Sequence, residues 1–330
     1  MNAANPRKQA AVLGGGVIGL VSGLRLLERG WTVTLYAREL SPRTTSDVAA
    51  AFWLPYKVAD DARVRGWANR TRATYGELMA RGVPGVSVSP LVVLDDGGSA
   101  AGWPGARPAD AAELPPGFAR GTRLDVPRVE TPVHLPWLLG EFARRGGQVV
   151  TRDVARVEEL LAEHPLVVNC PGIGAARLVP DAAVRPIRGQ VVRVQRPPGL
   201  DPTILIHEGP TATTYIVPRE EDCILGGTAQ AGDWDVAPDP ATAEAIRRRC
   251  AALRPALAAA PVVGHGVGLR PGRPAVRLER EDLPGGRALI HHYGHGGAGF
   301  TLAWACADEV ADLADAWAAG GPAAPAPHQS

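Results

Sequence analysis

Ala10-Ala11-Val12-Leu13-Gly14-Gly15-Gly16-Val17-Ile18-Gly19 is the stretch that decides the fold. Four small or apolar residues predict a short strand, and the glycines that follow predict a tight turn. From Ile18 to Arg29, with Leu20, Leu24 and Leu27 on one face, the pattern is helical. Thr32-Val33-Thr34-Leu35-Tyr36 supplies a second strand and completes a βαβ unit. Gly14, Gly16 and Gly19 have the spacing of a dinucleotide-binding turn. Gly14 permits the bend, Gly16 lets a pyrophosphate approach the backbone, and Gly19 lets helix and strand pack closely. The helix start then offers unpaired N–H groups to the anion.

A second glycine turn, Gly294-His295-Gly296-Gly297-Ala298-Gly299-Phe300-Thr301, follows the apolar run Ala288-Leu289-Ile290. Two such turns, one near each end of the chain, predict a large cofactor held by both termini. Glu39 stands about twenty residues past Gly19, where an acid suits a ribose hydroxyl. Its neighbour Arg38 could accept a 2′-phosphate and indicate NADP, or cover the adenosine face, so the turn alone does not choose the cofactor.

Composition sets wider bounds. The chain has 330 residues, is 45% hydrophobic and carries a formal charge of +1, enough for one large core or two moderate ones. No apolar run reaches 18 residues, and Met1 to Lys8 leads into the first strand without a secretory apolar stretch, so the expectation is a cytoplasmic protein without a membrane partner. Near-neutral charge gives no case for nucleic acid. Cys170, Cys223, Cys250 and Cys306 are scattered, which suits reduced, buried thiols better than zinc or disulfides. No metal is expected, and His291, His292 and His295 lack a clear metal-ligand spacing.

Thr44 to Tyr56 mixes small polar and small apolar residues, which lets backbone approach a ligand. An arginine-dotted helical stretch, Val64 to Leu78, and a Pro/Gly-rich region, Gly82 to Gly117, leave the nucleotide fold. His134 to Arg145 reads as a helix, Gln148 to Thr151 as a strand, and Leu166 to Asn169 as a buried parallel strand. From Arg188 to Val276 strand-like alternation dominates, broken by one helix near Ala241 to Ala252. A closing helix, Thr301 to Ala318, precedes an Ala/Pro tail read as disordered. The expected fold class is α/β: a Rossmann-like domain from residues 1–56, 134–185 and 285–330, with an inserted strand-rich α+β substrate domain from 57–133 and 186–284.

The order of these motifs resembles the D-amino-acid oxidase family. The resemblance rests on Gly14 to Gly19, Thr44 to Ala50, Val168-Asn169-Cys170-Pro171-Gly172, Arg188-Gly189-Gln190, Tyr215-Ile216-Val217-Pro218 and Leu225-Gly226-Gly227-Thr228. It continues through Gly268-Leu269-Arg270-Pro271-Gly272-Arg273-Pro274, Val276 to Glu279 and Tyr293 to Gly299, covering nearly the whole chain. It implies FAD rather than NADP, with a D-amino acid and molecular oxygen as reactants and hydrogen peroxide as a product. The cofactor set it implies is Gly14, Gly15, Gly16, Val17, Ile18, Gly19, Arg38, Glu39, Thr44, Thr45, Ser46, Ala50, Ala51, Phe52 and Val154. Gly296, Ala298, Gly299, Phe300 and Thr301 complete that set along the flavin ring.

For the substrate, the resemblance assigns Arg273 to the carboxylate, where a guanidinium fork binds two oxygens at once. Tyr215 would donate to the same carboxylate, and the Gly297 carbonyl would accept from the amine. Arg270 and Arg277 are expected in ion pairs or in support of the site, and His295 is not expected to act as a base. The segment His207 to Thr214 reads as a short lid without a second tyrosine. Leu54 stands where mammalian members have glutamine. D-Aspartate oxidases place an arginine near His207, and its absence favours neutral D-amino acids unless His207, Arg219 or an arginine from elsewhere substitutes. A homodimer is left open.

Overall fold

The computed structural model describes residues 8–94, 100–179, 181–209 and 212–321; the Ala/Pro tail read as disordered lies outside them. A six-stranded sheet runs in the order Arg277–Leu283, Arg287–Tyr293, Leu166–Asn169, Gln9–Leu13, Thr32–Ala37 and Gln148–Thr151. Gln9–Leu13 is parallel to both neighbours, with Ala10 opposite Val33 on one side and Leu166 on the other. Both faces of its centre are covered, so the central strands Leu166–Asn169 and Gln9–Leu13 are almost continuously buried. Ala10 and Val12 pack with Leu20, Leu24, Phe142 and Leu302 on one side. Ala11 and Leu13 pack with Val157, Leu160 and Leu161 on the other. The predicted first and closing helices are present as Val17–Glu28 and Gly299–Ala318.

The second sheet holds the strands between Val86 and Val129 and those between Arg185 and Gly272, so the chain enters it twice. Its longest strands, Arg185–Gln195 and Val262–Gly272, pair antiparallel along nearly their whole length. Helix Pro240–Leu253 covers the outer face through Ala243, Ile246, Cys250 and Leu253.

Three boundaries differ from the sequence reading. Arg277–Leu283, assigned above to the substrate domain within 186–284, pairs into the first sheet. Its partner Arg287–Tyr293 follows after a turn in which Gly285 and Gly286 take φ of 76° and 68°, and this local hairpin outweighs the alternation that continues from the preceding strand. Helix Ala62–Ala80, within the segment 57–133, packs on the closing helix of the nucleotide fold. Tyr75 donates to the Phe300 carbonyl (3.1 Å), and Thr71 Oγ1 accepts from the Ala305 amide (3.1 Å). The supposed lid 207–214 is largely hairpin, because Ile204–Glu208 pairs with Thr213–Pro218; Pro210 and Thr211 lie outside the described residues. No described helix is long and apolar enough to cross a membrane.

Four imidazoles are buried, and three of them, His134, His292 and His295, have no carboxylate partner among the described residues. His134 stacks on Trp137 and donates Nδ1–H to the Pro84 carbonyl (3.1 Å), and burial holds its pKa at about 4. Burial brings His295 to about 3, and burial with the nearby His295 and Arg63 lowers His292. As pH falls below about 6.5 the unfolded chain protonates these groups first, whereas the folded chain waits for the lowered values. Stability should therefore decline from about pH 6.5 downward, by at most about 1.4 kcal/mol per pH unit for each imidazole. Thermal unfolding between pH 7.5 and 5.5 checks this. His134→Gln should flatten the decline, and an unchanged slope would exclude His134 from it.

Candidate active site

A cavity of about 1340 Å³ is lined from both sheets, larger than the roughly 300–1,000 Å³ of most small-molecule sites. Its first wall begins at the N-terminal turn. Gly14 adopts φ 124°, and a Cβ there would lie 2.2 Å from the Cys170 carbonyl oxygen, so the turn and strand Leu166–Asn169 meet backbone to backbone. Gly15, Gly16, Val17 and Ile18 line the cavity. Ser46 Oγ accepts the Val17 amide (3.0 Å), while the amides of Gly15, Gly16 and Ile18 have no acceptor among the described residues. Thr44 fixes this segment by donating its amide and hydroxyl to Asp47, at 2.8 and 2.6 Å. Arg38 and Glu39, at the end of Thr32–Ala37, line the same cavity with Thr44, Thr45, Ser46 and Val154.

The C-terminal turn forms the adjoining wall. Gly296, Gly297, Gly299, Phe300 and Thr301 line it with Ala50, Ala51 and Phe52. Thr301 donates to the Leu54 carbonyl (3.0 Å), and the amides of Gly299, Phe300 and Thr301 have no acceptor among the described residues. Two members of the expected cofactor set do not reach the cavity lining. Ala298 is fully buried, and Gly19 packs so tightly that a Cβ would lie 2.0 Å from the Gly14 carbonyl oxygen. A long cavity floored by glycine backbone with free amides fits a dinucleotide.

Strand alternation builds the remaining wall. Ile206, Glu208, Thr213 and Tyr215 face the cavity, with Tyr215 opposite Ile206 and Thr213 opposite Glu208. His207 points the other way, onto the Phe118 ring at 5.0 Å. Burial pushes the Tyr215 phenol up against the opposing effect of Arg270, so it stays a neutral donor. Arg270, in strand Val262–Gly272, donates to the Thr228 carbonyl (3.0 Å) and lies 5.6 Å from the Tyr56 ring centre. It rests against Gly189, where a Cβ would come within 2.3 Å of Nη1, and a Cβ on Gly297 would be 3.4 Å from its Cδ. The Gly297 amide donates to the Tyr56 carbonyl (3.0 Å), whereas its own carbonyl receives no hydrogen bond among the described residues. Arg270, Tyr215, Tyr56 and Gly297 therefore surround one space.

Arg273 is not among them, which corrects the sequence reading. It lies just beyond the end of Val262–Gly272, in the turn toward Arg277–Leu283. Its Nε donates to Asp181 (3.0 Å) and its Nη1 to the Ala275 carbonyl (2.9 Å), and it does not line the cavity. Arg219, considered as a reader of a side-chain carboxylate, is buried in a two-bond ion pair with Asp222 at 2.6 and 2.7 Å. Tyr56, Ile206 and Glu208 escaped the sequence reading, although the period-two face shared with Tyr215 would have nominated the last two. His292, His295 and Cys306 bring possible ligand atoms within 4.8 Å of one another, a grouping their spacing did not foretell because the closing helix delivers Cys306. Burial keeps both imidazoles neutral and the thiol protonated.

This architecture defines a flavin-dependent oxidoreductase. Residues 9–313 match the FAD dependent oxidoreductase family, DAO, and the chain belongs to it. It is 48% identical over 315 residues to a D-amino-acid oxidase of Rubrobacter xylanophilus, covering 93% of this chain and 96% of that one. It is 36% identical over 327 residues to the human D-aspartate oxidase, covering 92% and 93%. The solved glycine oxidase of Geobacillus kaustophilus has the same fold, with a TM-score of 0.80 at 22% identity over 93% of this chain and 95% of that one. The cofactor is FAD.

Two of the three motif glycines separate binding from packing. Gly19→Ala must displace backbone and should lower the melting temperature of the flavin-free protein by several degrees, consistent with roughly 1–3 kcal/mol for overpacking. Gly16→Val meets only the Ser46 side chain, at 2.9 Å from its Cβ, so it should fold yet retain little flavin. Visible absorbance and thermal unfolding of the two variants check this; flavin retained at wild-type level by Gly16→Val would be contrary.

Proposed function

We propose that this chain oxidises D-amino acids with uncharged side chains to 2-oxo acids, ammonia and hydrogen peroxide, using oxygen as the final acceptor. The observation that carries this reading is the meeting of Arg270, Tyr215 and the free Gly297 carbonyl in one space beside the closing helix. Bound FAD supplies the two-electron acceptor and passes the electrons to oxygen. The cradle at Gly14 to Ile18 supports a pyrophosphate there, with Arg38, Glu39 and Val154 toward the adenosine and Gly296 to Thr301 toward the flavin. Four buried, unpaired cysteines support a cytoplasmic setting.

Arg270 takes the role assigned above to Arg273. Its fork holds the substrate carboxylate through two charge-assisted bonds, and the Tyr215 hydroxyl adds a neutral donor. The Gly297 carbonyl accepts an amine N–H. With carboxylate and amine both held, the α-hydrogen and the side chain exchange places between enantiomers, so handedness depends on which direction is roomy. The free amides of Gly299, Phe300 and Thr301 favour negative charge developing at the helix start. Leu54, Phe52 and Ile206 make the side-chain region apolar, and burying an unpaired carboxylate against them costs several kcal/mol. That supports neutral side chains over D-aspartate.

No group beside Arg270 and Tyr215 is a ready base, since burial leaves His295 neutral down to about pH 3 and lowers His292 as well. The amine must lose its proton before the α-hydrogen leaves, so kcat/KM for D-methionine should climb from neutral into alkaline pH. A flat profile would reveal an unrecognised base. Arg270→Lys keeps the charge and loses the fork, for an expected loss of about 2 kcal/mol, roughly thirtyfold in kcat/KM. Arg273→Lys, remote from the cavity, should stay within about threefold. Steady-state peroxide assays decide, and the reverse ranking of the two variants would restore Arg273 as the anchor.

A further inference from the structure

Glu208 is the unused charge of the substrate wall. It is the last residue of strand Ile204–Glu208, exposed at its outer end, and lines the cavity on the same face as Ile206. No ion pair or hydrogen bond engages its carboxylate among the described residues. Among the cations that line the cavity, Arg65 chelates Asp60 through two bonds of 2.7 Å, and Arg270 is the proposed partner of the α-carboxylate. Lys57 lies over the Tyr56 ring at 5.4 Å and does not line the cavity.

The strand register measures how far this carboxylate stands from Tyr215, the neutral donor beside the proposed anchor. Tyr215 is opposite Ile206, and Glu208 lies two residues further along the strand, about 7 Å at the usual rise. Thr213, opposite Glu208, accepts from the Tyr56 hydroxyl (3.4 Å) and flanks the same place. From the level of Tyr215 to the acid the wall is Ile206, with Leu54 and Val93 also on the lining. An apolar passage that ends in an unpaired carboxylate matches a side chain with an alkyl stem and a cationic tip.

We propose that Glu208 forms a distal subsite for the cationic end of a D-amino acid such as D-lysine or D-arginine. This rests on the oxidase reading above and extends its substrate range beyond neutral side chains. The α-carboxylate pairs with Arg270, the methylene stem lies along Ile206, and the ammonium or guanidinium tip pairs with Glu208 across the strand pair. The same carboxylate repels the side chain of D-aspartate or D-glutamate.

The experiment compares D-lysine with D-norleucine, which has a similar stem without the charge, in the flavin-loaded wild type and in Glu208→Gln. The ratio of their kcat/KM values should fall about tenfold in the variant, between the effect of an exposed ion pair and that of a charge-assisted bond, and mainly through KM. In the wild type the ratio should also shrink as salt rises. An unchanged ratio overturns the subsite while leaving the oxidase reading intact. If neither amino acid is oxidised the oxidase reading fails, and calorimetry still tests the subsite. Binding of 5-guanidinopentanoate relative to hexanoate should then weaken about tenfold in Glu208→Gln, and equal binding in both proteins overturns it.

Discussion

The parallel pairing of Arg287–Tyr293 with Leu166–Asn169 is the constraint on which the site depends. It places the end of the last strand level with the end of the first, across one intervening strand, with His291 opposite Asn169 and Leu13 opposite Asn169 in turn. Both glycine turns therefore leave the same edge of one sheet, where ligands of open α/β folds gather. Two turns separated by nearly the whole chain become neighbours through hydrogen-bonded register. The closing helix can then start beside the cavity and pack along Val17–Glu28 and Ala62–Ala80, with Leu302 and Val310 in the same core as Leu20 and Leu24. Glycine matters where backbone must touch backbone, as at Gly19 over the Gly14 carbonyl; a side chain there would part the helix from the strand and shift every amide at the turn.

Chemistry is delivered by the second sheet, whose twofold alternation sorts residues between a core under helix Pro240–Leu253 and the cavity. Val192, Ile216 and Leu225 take the first side. Tyr215 and Ile206 take the second, and one step of register would exchange them. Arg270 reaches the cavity because it is still within a strand, while Arg273 is already beyond one. Two residues separate them in sequence, and the end of a strand decides which one lines the cavity.

That distinction marks the limit of what the sequence disclosed. The nucleotide fold was legible because its signals are local: an apolar run, a glycine turn and a helical period within thirty residues. Helix Ala62–Ala80 was legible as a helix but not as a partner of the closing helix, because Tyr75 and Thr71 find Phe300 and Ala305 only through tertiary contact. Arg277–Leu283 continued an alternating pattern across a change of sheet that alternation cannot report. Motif resemblance located the arginine-rich run and singled out Arg273, whereas Arg270 is the member that lines the cavity, since both arginines offer the same fork and only their tertiary partners separate them.

Arg273 nevertheless bears on the site from behind. Asp181 accepts from Arg273 Nε and from the Tyr293 hydroxyl, at 3.0 and 2.9 Å, and that hydroxyl accepts from Arg277 Nη1 at 2.7 Å. Burial alone would raise the Asp181 carboxyl. The hydrogen bonds from Tyr293, the Ala183 amide and Arg273 outweigh burial and hold it below the usual carboxylate range. The network thus stays charged at neutral pH and joins the end of the last strand to the turn that follows Val262–Gly272. One side of that junction leads into Gly294 to Gly297, and the other carries Arg270. Arg273 is committed to a carboxylate of its own protein, and its ion pair holds in register the two segments that meet beside Arg270.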